Sequence, residues 1–181
     1  MTHPRSCRAL FAVIAFAAIT THAQDTERAR GAELLAPFKK DLKQALKSGL
    51  AEGPAAAIQV CRVKAPGIAD ALSVEGVRMG RSSHKLRNPD NKAPDWVSPI
   101  MQAYLHEPSS REPRVVELPG DRWGYVEPIM VQPLCLTCHG SALAPDIAAQ
   151  ISDLYPEDRA VGFEAGELRG VFWLEFPGDT P

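Results

Sequence analysis

Apolar residues recur at Leu35, Phe38, Leu42, Leu46 and Leu50, three and four apart, with Lys39, Lys40, Lys43 and Lys47 between them. That period draws one apolar stripe along a helix over residues 26–51. Pro37 falls inside the stripe, where it either kinks the helix or marks a late start. Gly53-Pro54 restarts the chain, because proline suits a first helical position. Residues 55–63 then read as a small-residue, apolar helix that carries Cys61. Pro66 is expected to interrupt or bend it before Ile68, Ala69 and Leu72 complete the face.

Beyond Gly76 the period drops to two. Residues 77–82 alternate as a strand, and Arg87-Asn88-Pro89-Asp90-Asn91 is a turn-forming loop. Pro94 opens a helix over 95–105. Strands are predicted at Arg114–Leu118 and at 123–131, the second with Pro128 inside it and so expected at an edge or a bulge. Pro145–Leu154 reads as a short helix, 162–170 as turn-rich, and 170–176 as a closing strand. Helices followed by hairpin-connected strands spell an α+β domain with an antiparallel sheet. No internal repeat or linker divides it.

The start of the chain has a different character. His3, Arg5 and Arg8 precede an unbroken apolar run of eleven residues, 9–19, and Thr21-His22-Ala23 supplies small residues at the cleavage positions. Residues 1–23 therefore read as a secretory signal, and 24–181 as a single exported domain. Eleven apolar residues fall short of the ~20 needed to span hydrocarbon, so no integral membrane segment is expected. Losing Arg5 and Arg8 takes twenty basic residues to eighteen, against twenty-two acidic ones. That balance argues against a nucleic-acid partner. Sixteen prolines in 181 residues, against a usual share of ~5%, imply stiff and irregular connections.

Export leaves Cys61, Cys135 and Cys138, an odd number for an oxidising compartment. Cys135-Leu136-Thr137-Cys138-His139 is C-x-x-C-H, the attachment motif of c-type haem, in which two thiols take the vinyl groups and the adjacent imidazole ligates the iron. A thioredoxin-like redox pair or half a zinc site could share the spacing. The redox pair gives no reason for His139, and zinc would have only His84, His106 and Cys61 to complete its ligands. The motif lies late in the chain and every methionine precedes it, which fits neither a small haem-c carrier nor a four-helix haem-c bundle. Cys61, in an alanine-rich helix, reads either as a small buried hydrophobe or as a further ligand. Arg81, Lys85 and Arg87 form a run that is either a solvated loop or a partner for carboxylates. Asn88 shapes the adjoining loop and is placed to approach a ligand edge. Met79, Met130 and the three tryptophans read as core, and His84 and His106 as exposed, with His84 the second choice for a distal ligand.

The segments 57–66, 80–83, 86–91 and 133–140, together with Tyr155-Pro156 followed by Asp158, Ala160, Gly162 and 166–170, resemble the haem-c sensor-type domains long catalogued as a domain of unknown function. Some relatives stand alone, and others form the extracytoplasmic input of membrane histidine kinases and chemoreceptors. The resemblance covers about residues 30–176. It implies a PAS-like α+β fold and one covalent haem c ligated by His139 and, on the far side, by Cys61. Together these readings predict a periplasmic haem-c protein that reports redox state or a diatomic ligand such as CO or NO. The alternative is a low-potential electron carrier serving a redox partner protein. A haem enzyme is least supported, because only His84 and scattered carboxylates offer acid–base groups.

Overall fold

The computed structural model describes residues 10–178, with side chains from His22 onward, so the first nine residues of the predicted targeting segment lie outside the described residues. Two long helices lead: α1 (Leu10–Ala51) and α2 (Pro54–Leu72). They form a hairpin turned by Gly53, whose φ of 115° suits glycine. Gly49 lets the two helices touch, since a Cβ there would sit 2.7 Å from the Ala57 Cα. Both helices run through their prolines, so Pro37 marks no late start and Pro66 no interruption. Pro37 and Pro66 are exposed, so water can solvate the carbonyls that each leaves without a donor. No helix among the described residues is long and apolar enough to cross a membrane.

Four strands follow: β1 (Arg78–Ser82), β2 (Arg114–Leu118), β3 (Arg122–Met130) and β4 (Leu168–Pro177). They form one antiparallel sheet in the order β1-β4-β3-β2, which is the expected α+β class. Alternation sends Tyr125, Leu174 and Phe176 to one face, against Leu35 and Phe38 of α1. Val126 and Val171 go to the other face, against Val97, Met101 and Tyr104 of α3 (Val97–His106). Pro128 sits in a central strand, yet β2 pairs with β3 only as far as Val126, so no neighbour on that side asks for its N–H.

Strands β3 and β4 are sequence neighbours in the sheet, but residues 131–167 separate them. This excursion carries α4 (Leu136–His139) and α5 (Pro145–Leu154). Its neck is closed by Val131 N–H donating to the Glu167 carbonyl and Gly166 N–H to the Val131 carbonyl, both at 2.9 Å. Ile147, Ile151 and Tyr155 then bury against Ile58 of α2, tying the excursion to the hairpin.

Candidate functional site

A short 3-10 turn at Pro133–Cys135 runs directly into α4, so Cys135, Cys138 and His139 share about one helical turn. Positions three apart lie on one face of such a turn, which presents both thiols to the same side. The loop at 155–163 holds α4 from behind. Phe163 N–H donates to the His139 carbonyl and Gly162 N–H to the Gly140 carbonyl, each at 3.0 Å. His139 Nδ1 donates to the Ala160 carbonyl at 2.7 Å. A carbonyl only accepts, so the ring proton sits on Nδ1 and Nε2 keeps its lone pair. Burial pushes the imidazole down to about 3, with Arg169, Arg87 and Arg81 acting in the same direction and the Ala160 bond opposing them. The ring is therefore neutral at pH 7, the form that binds metals.

Arg87 braces the same turn. Its guanidinium meets both Asp158 oxygens at 3.2 and 3.1 Å and donates to the carbonyls of Cys138 at 2.6 Å and Ala160 at 3.3 Å. Asp158 Oδ1 also accepts from Ala160 N–H at 2.8 Å. The Arg87 and Asp158 side chains are only 13% and 9% exposed.

A cavity of about 370 Å³ lies between this turn, the α1–α2 hairpin and the ends of β1 and β4. That volume falls within the ~300–1,000 Å³ of small-molecule sites. Cys61, Arg81, Arg87, Asn88, Cys135, Cys138 and His139, drawn from four separate segments, all border it. Leu42, Leu46 and Leu50 of α1 supply an apolar wall, and the stripe Ala57, Cys61, Ala65 and Ala69 makes α2 a shallow one. Asn88 uses its Oδ1 to accept from Asp90 N–H at 3.1 Å, which fixes the turn at Pro89–Asn91.

His84 is not at the cavity, contrary to its place as second choice for a distal ligand, and it is half-buried rather than exposed. Ser83 Oγ donates to the Arg169 carbonyl and accepts from Lys85 N–H, which turns the chain away. The His84 ring lands edge-on against Phe163, centroids 5.7 Å apart. Among the described residues no three His, Cys, Asp or Glu side chains gather as a metal cage.

Two cavity residues, Arg169 and Tyr155, stand in segments that carry the family resemblance without being singled out there as site residues. Ile129 pairs with Gly170 and Met130 with Leu168, so the ladder skips Arg169 as a β-bulge. A bulge re-aims its side chain, and Arg169 joins the cavity wall although Leu168 and Val171 beside it enter the α3 core. No local pattern marks such a residue before the register is known. Burial, then Arg81 and Arg87, lower the Arg169 guanidinium to about 10. The cavity wall thus carries Lys39, Lys43, Arg62, Arg81, Arg87 and Arg169, and no carboxylate. Lys39 is paired with Glu127 and Arg87 with Asp158.

The comparison with curated proteins gives no match. Among solved structures, the chain is similar to the crystal structure of the cyanobacterial heme-protein Tll0287, with a TM-score of 0.63 and 21% identity, over 86% of this chain and 98% of that one. At that identity the likeness concerns the fold. A family model described as Tll0287-like matches residues 12–177, nearly the whole sequence. The chain belongs to the Tll0287-like family.

Proposed function

We propose that this is an exported haem-c protein, with one haem attached through Cys135 and Cys138 and its iron held between His139 and Cys61. A single observation carries the reading: two thiols on one turn, a neutral imidazole with a free Nε2, and a third thiol from α2 all border one cavity. The solved relative in the same fold is a heme-protein, which supports it. The wall fits the group, because a porphyrin is apolar with two carboxylates and the lining is apolar with six cations. Arg81 and Arg169 are the cations that suit those carboxylates, since Arg87 is already braced on Asp158. When bound, haem would supply a one-electron redox centre, with His139 and Cys61 as the residues placed to hold its iron.

The residues act as follows. Ala160 fixes the His139 tautomer, and Arg87 fixes the turn that presents it. Cys61, as a thiolate, favours the ferric state and lowers the potential. Release of Cys61 on reduction would free the α2 turn that carries it and admit CO or NO, which makes electron count or a diatomic gas the signal. The protein is then a periplasmic redox or gas sensor and not an enzyme. A second reading, a low-potential electron carrier, draws on Leu134, which borders the cavity yet is 57% exposed and would leave a haem edge near a partner. Optical and EPR spectra of the ferric protein beside Cys61→Ala test the ligation. A low-spin thiolate signature lost in the variant is expected, and matching spectra would remove Cys61 from the iron. CO binding to the reduced protein then supports the sensor, and unchanged ligation in both states the carrier.

A further inference from the structure

The cavity wall holds six cations and no carboxylate, in a chain whose formal net charge is −2. Lys39 is paired with Glu127 and Arg87 with Asp158. Arg81 and Arg169 are half-buried, and they match the two carboxylates of a porphyrin one for one. Lys43 and Arg62 are left over. Both are exposed, and neither has an ion-pair partner among the described residues.

Their positions put them at the mouth. A residue that borders a cavity and is also exposed stands at its rim, and Leu134, 57% exposed, is a third such residue. Gly49 closely approaches Ala57 across the α1–α2 hairpin. Lys43 and Arg62 each lie about one and a half turns from that contact, so they stand level on the two antiparallel helices. Lys39, Lys43 and Lys47 recur at every fourth position, which makes one cationic row along the α1 side. Asp41, the acid within that stretch, borders a different surface groove with Val63 and Lys64 of α2. Arg62 directly follows Cys61, so the α2 side of the rim lies beside the residue placed to hold the iron. An apolar spot ringed by unpaired charge has the anatomy of an interface centre and its rim.

We propose that this mouth is the docking surface for an acidic one-electron redox protein, with Leu134 at its centre and Lys43, Lys47 and Arg62 on its rim. The inference rests on the haem reading above and holds for either role, because sensor and carrier alike must exchange an electron with a partner. In each encounter one electron moves: ferrous iron becomes ferric, the partner's centre is reduced by one, and no bond forms or breaks. A single leucine offers too little apolar surface to anchor in a bilayer, and the acidic balance of the chain disfavours a nucleic acid.

The charge of the whole chain and the charge of the mouth predict opposite signs, and the test uses that. The reduced, haem-loaded protein is mixed in stopped flow with tris(oxalato)cobaltate(III), an anion, and separately with tris(phenanthroline)cobalt(III), a cation. Each takes one electron and becomes cobalt(II). Raising the ionic strength from about 0.01 M to about 1 M shrinks the Debye length from ~30 Å to ~3 Å. The anionic oxidant should then slow roughly tenfold and the cationic one should quicken, since the field at the mouth governs the encounter. Lys43→Gln with Arg62→Gln should remove most of that dependence. Arg159→Gln, which neutralises an exposed cation on the loop behind α4 and outside the cavity wall, should leave it. Apart from any electron transfer, a hexaglutamate peptide titrated into the protein should shift the amide resonances of residues 43–47, 60–63 and 132–137. Opposite signs, no salt dependence, or an equal effect of Arg159→Gln and the double variant each overturn the proposal. So do peptide shifts that fall elsewhere or nowhere. Binding to phosphatidylglycerol vesicles without a response to the peptide would make a lipid surface the occupant and also overturns it. Any of these results in a protein that has taken up haem leaves the haem reading standing, whereas a native protein that takes up none brings down both. Should the double variant fail to accumulate, the two signs measured on the native protein decide.

Discussion

Replacing Asp158 with alanine removes three contacts in one step: both oxygens that hold Arg87 and the acceptor for Ala160 N–H. Arg87 then stays 13% exposed beside Arg81 and Arg169, with no countercharge. Breaking a buried pair from one side costs about 3–5 kcal/mol, because the remaining charge keeps its desolvation penalty. Against a domain stability of about 5–15 kcal/mol, that is a large share. Urea unfolding of Asp158→Ala should therefore show a much lower midpoint with an unchanged slope. The Ala160 carbonyl loses its anchor too, so the His139 orientation should relax and the optical spectrum of the loaded protein should broaden. Asp158→Asn keeps an acceptor and loses the charge, and should fall between. Arg87→Met with Asp158→Leu removes both charges and should be more stable than Asp158→Ala alone. A loss below about 1 kcal/mol in Asp158→Ala, or strict additivity in the double variant, would refute the brace.

Three further outcomes are expected. Gly80→Ala places a Cβ 2.7 Å from the Trp173 ring and should cost about 1–3 kcal/mol by thermal or urea unfolding, since the indole must move. Gly67→Ala, in α2 with nothing within 4 Å of the new Cβ, should instead stabilise by up to about 1 kcal/mol in the same assay. Burial, then Lys85 and Arg169, hold His84 below its usual 6.5 in the folded state. The unfolded chain therefore binds the extra proton first, so stability falls as pH drops below about 6.5, and His84→Phe should flatten that slope in urea titrations from pH 7 to 5.

The elements were largely legible where the signal is local. Proline at a first helical position and apolar spacing define α5, and plain alternation defines β2, with no adjustment needed. The prolines in α1 and α2 misled because their cost depends on exposure, which only the tertiary fold sets. The thiols and His139 announce themselves by spacing, whereas Cys61 meets them only through the hairpin and α5. The place of Arg169 at the cavity was not legible, because a register shift and not a motif turns it inward. Arg87 was singled out, yet its bracing of the Cys138 carbonyl and of Asp158 joins segments 51 and 71 residues away, beyond any local pattern.

The closed neck at Val131 and Glu167 makes the excursion a detachable inheritance. The β3–β4 ladder is complete on either side of it, so a short hairpin turn in place of 131–167 would leave the strand register as it is. Cys61 and Arg81 belong to the scaffold, while Cys135, Cys138 and His139 travel with the excursion. One deletion of 131–167 would therefore take away Cys135, Cys138 and His139 together, with the Asp158 that holds Arg87 and one wall of the cavity. The site is gained or lost as a unit, while the strand register on which it sits stays as it is.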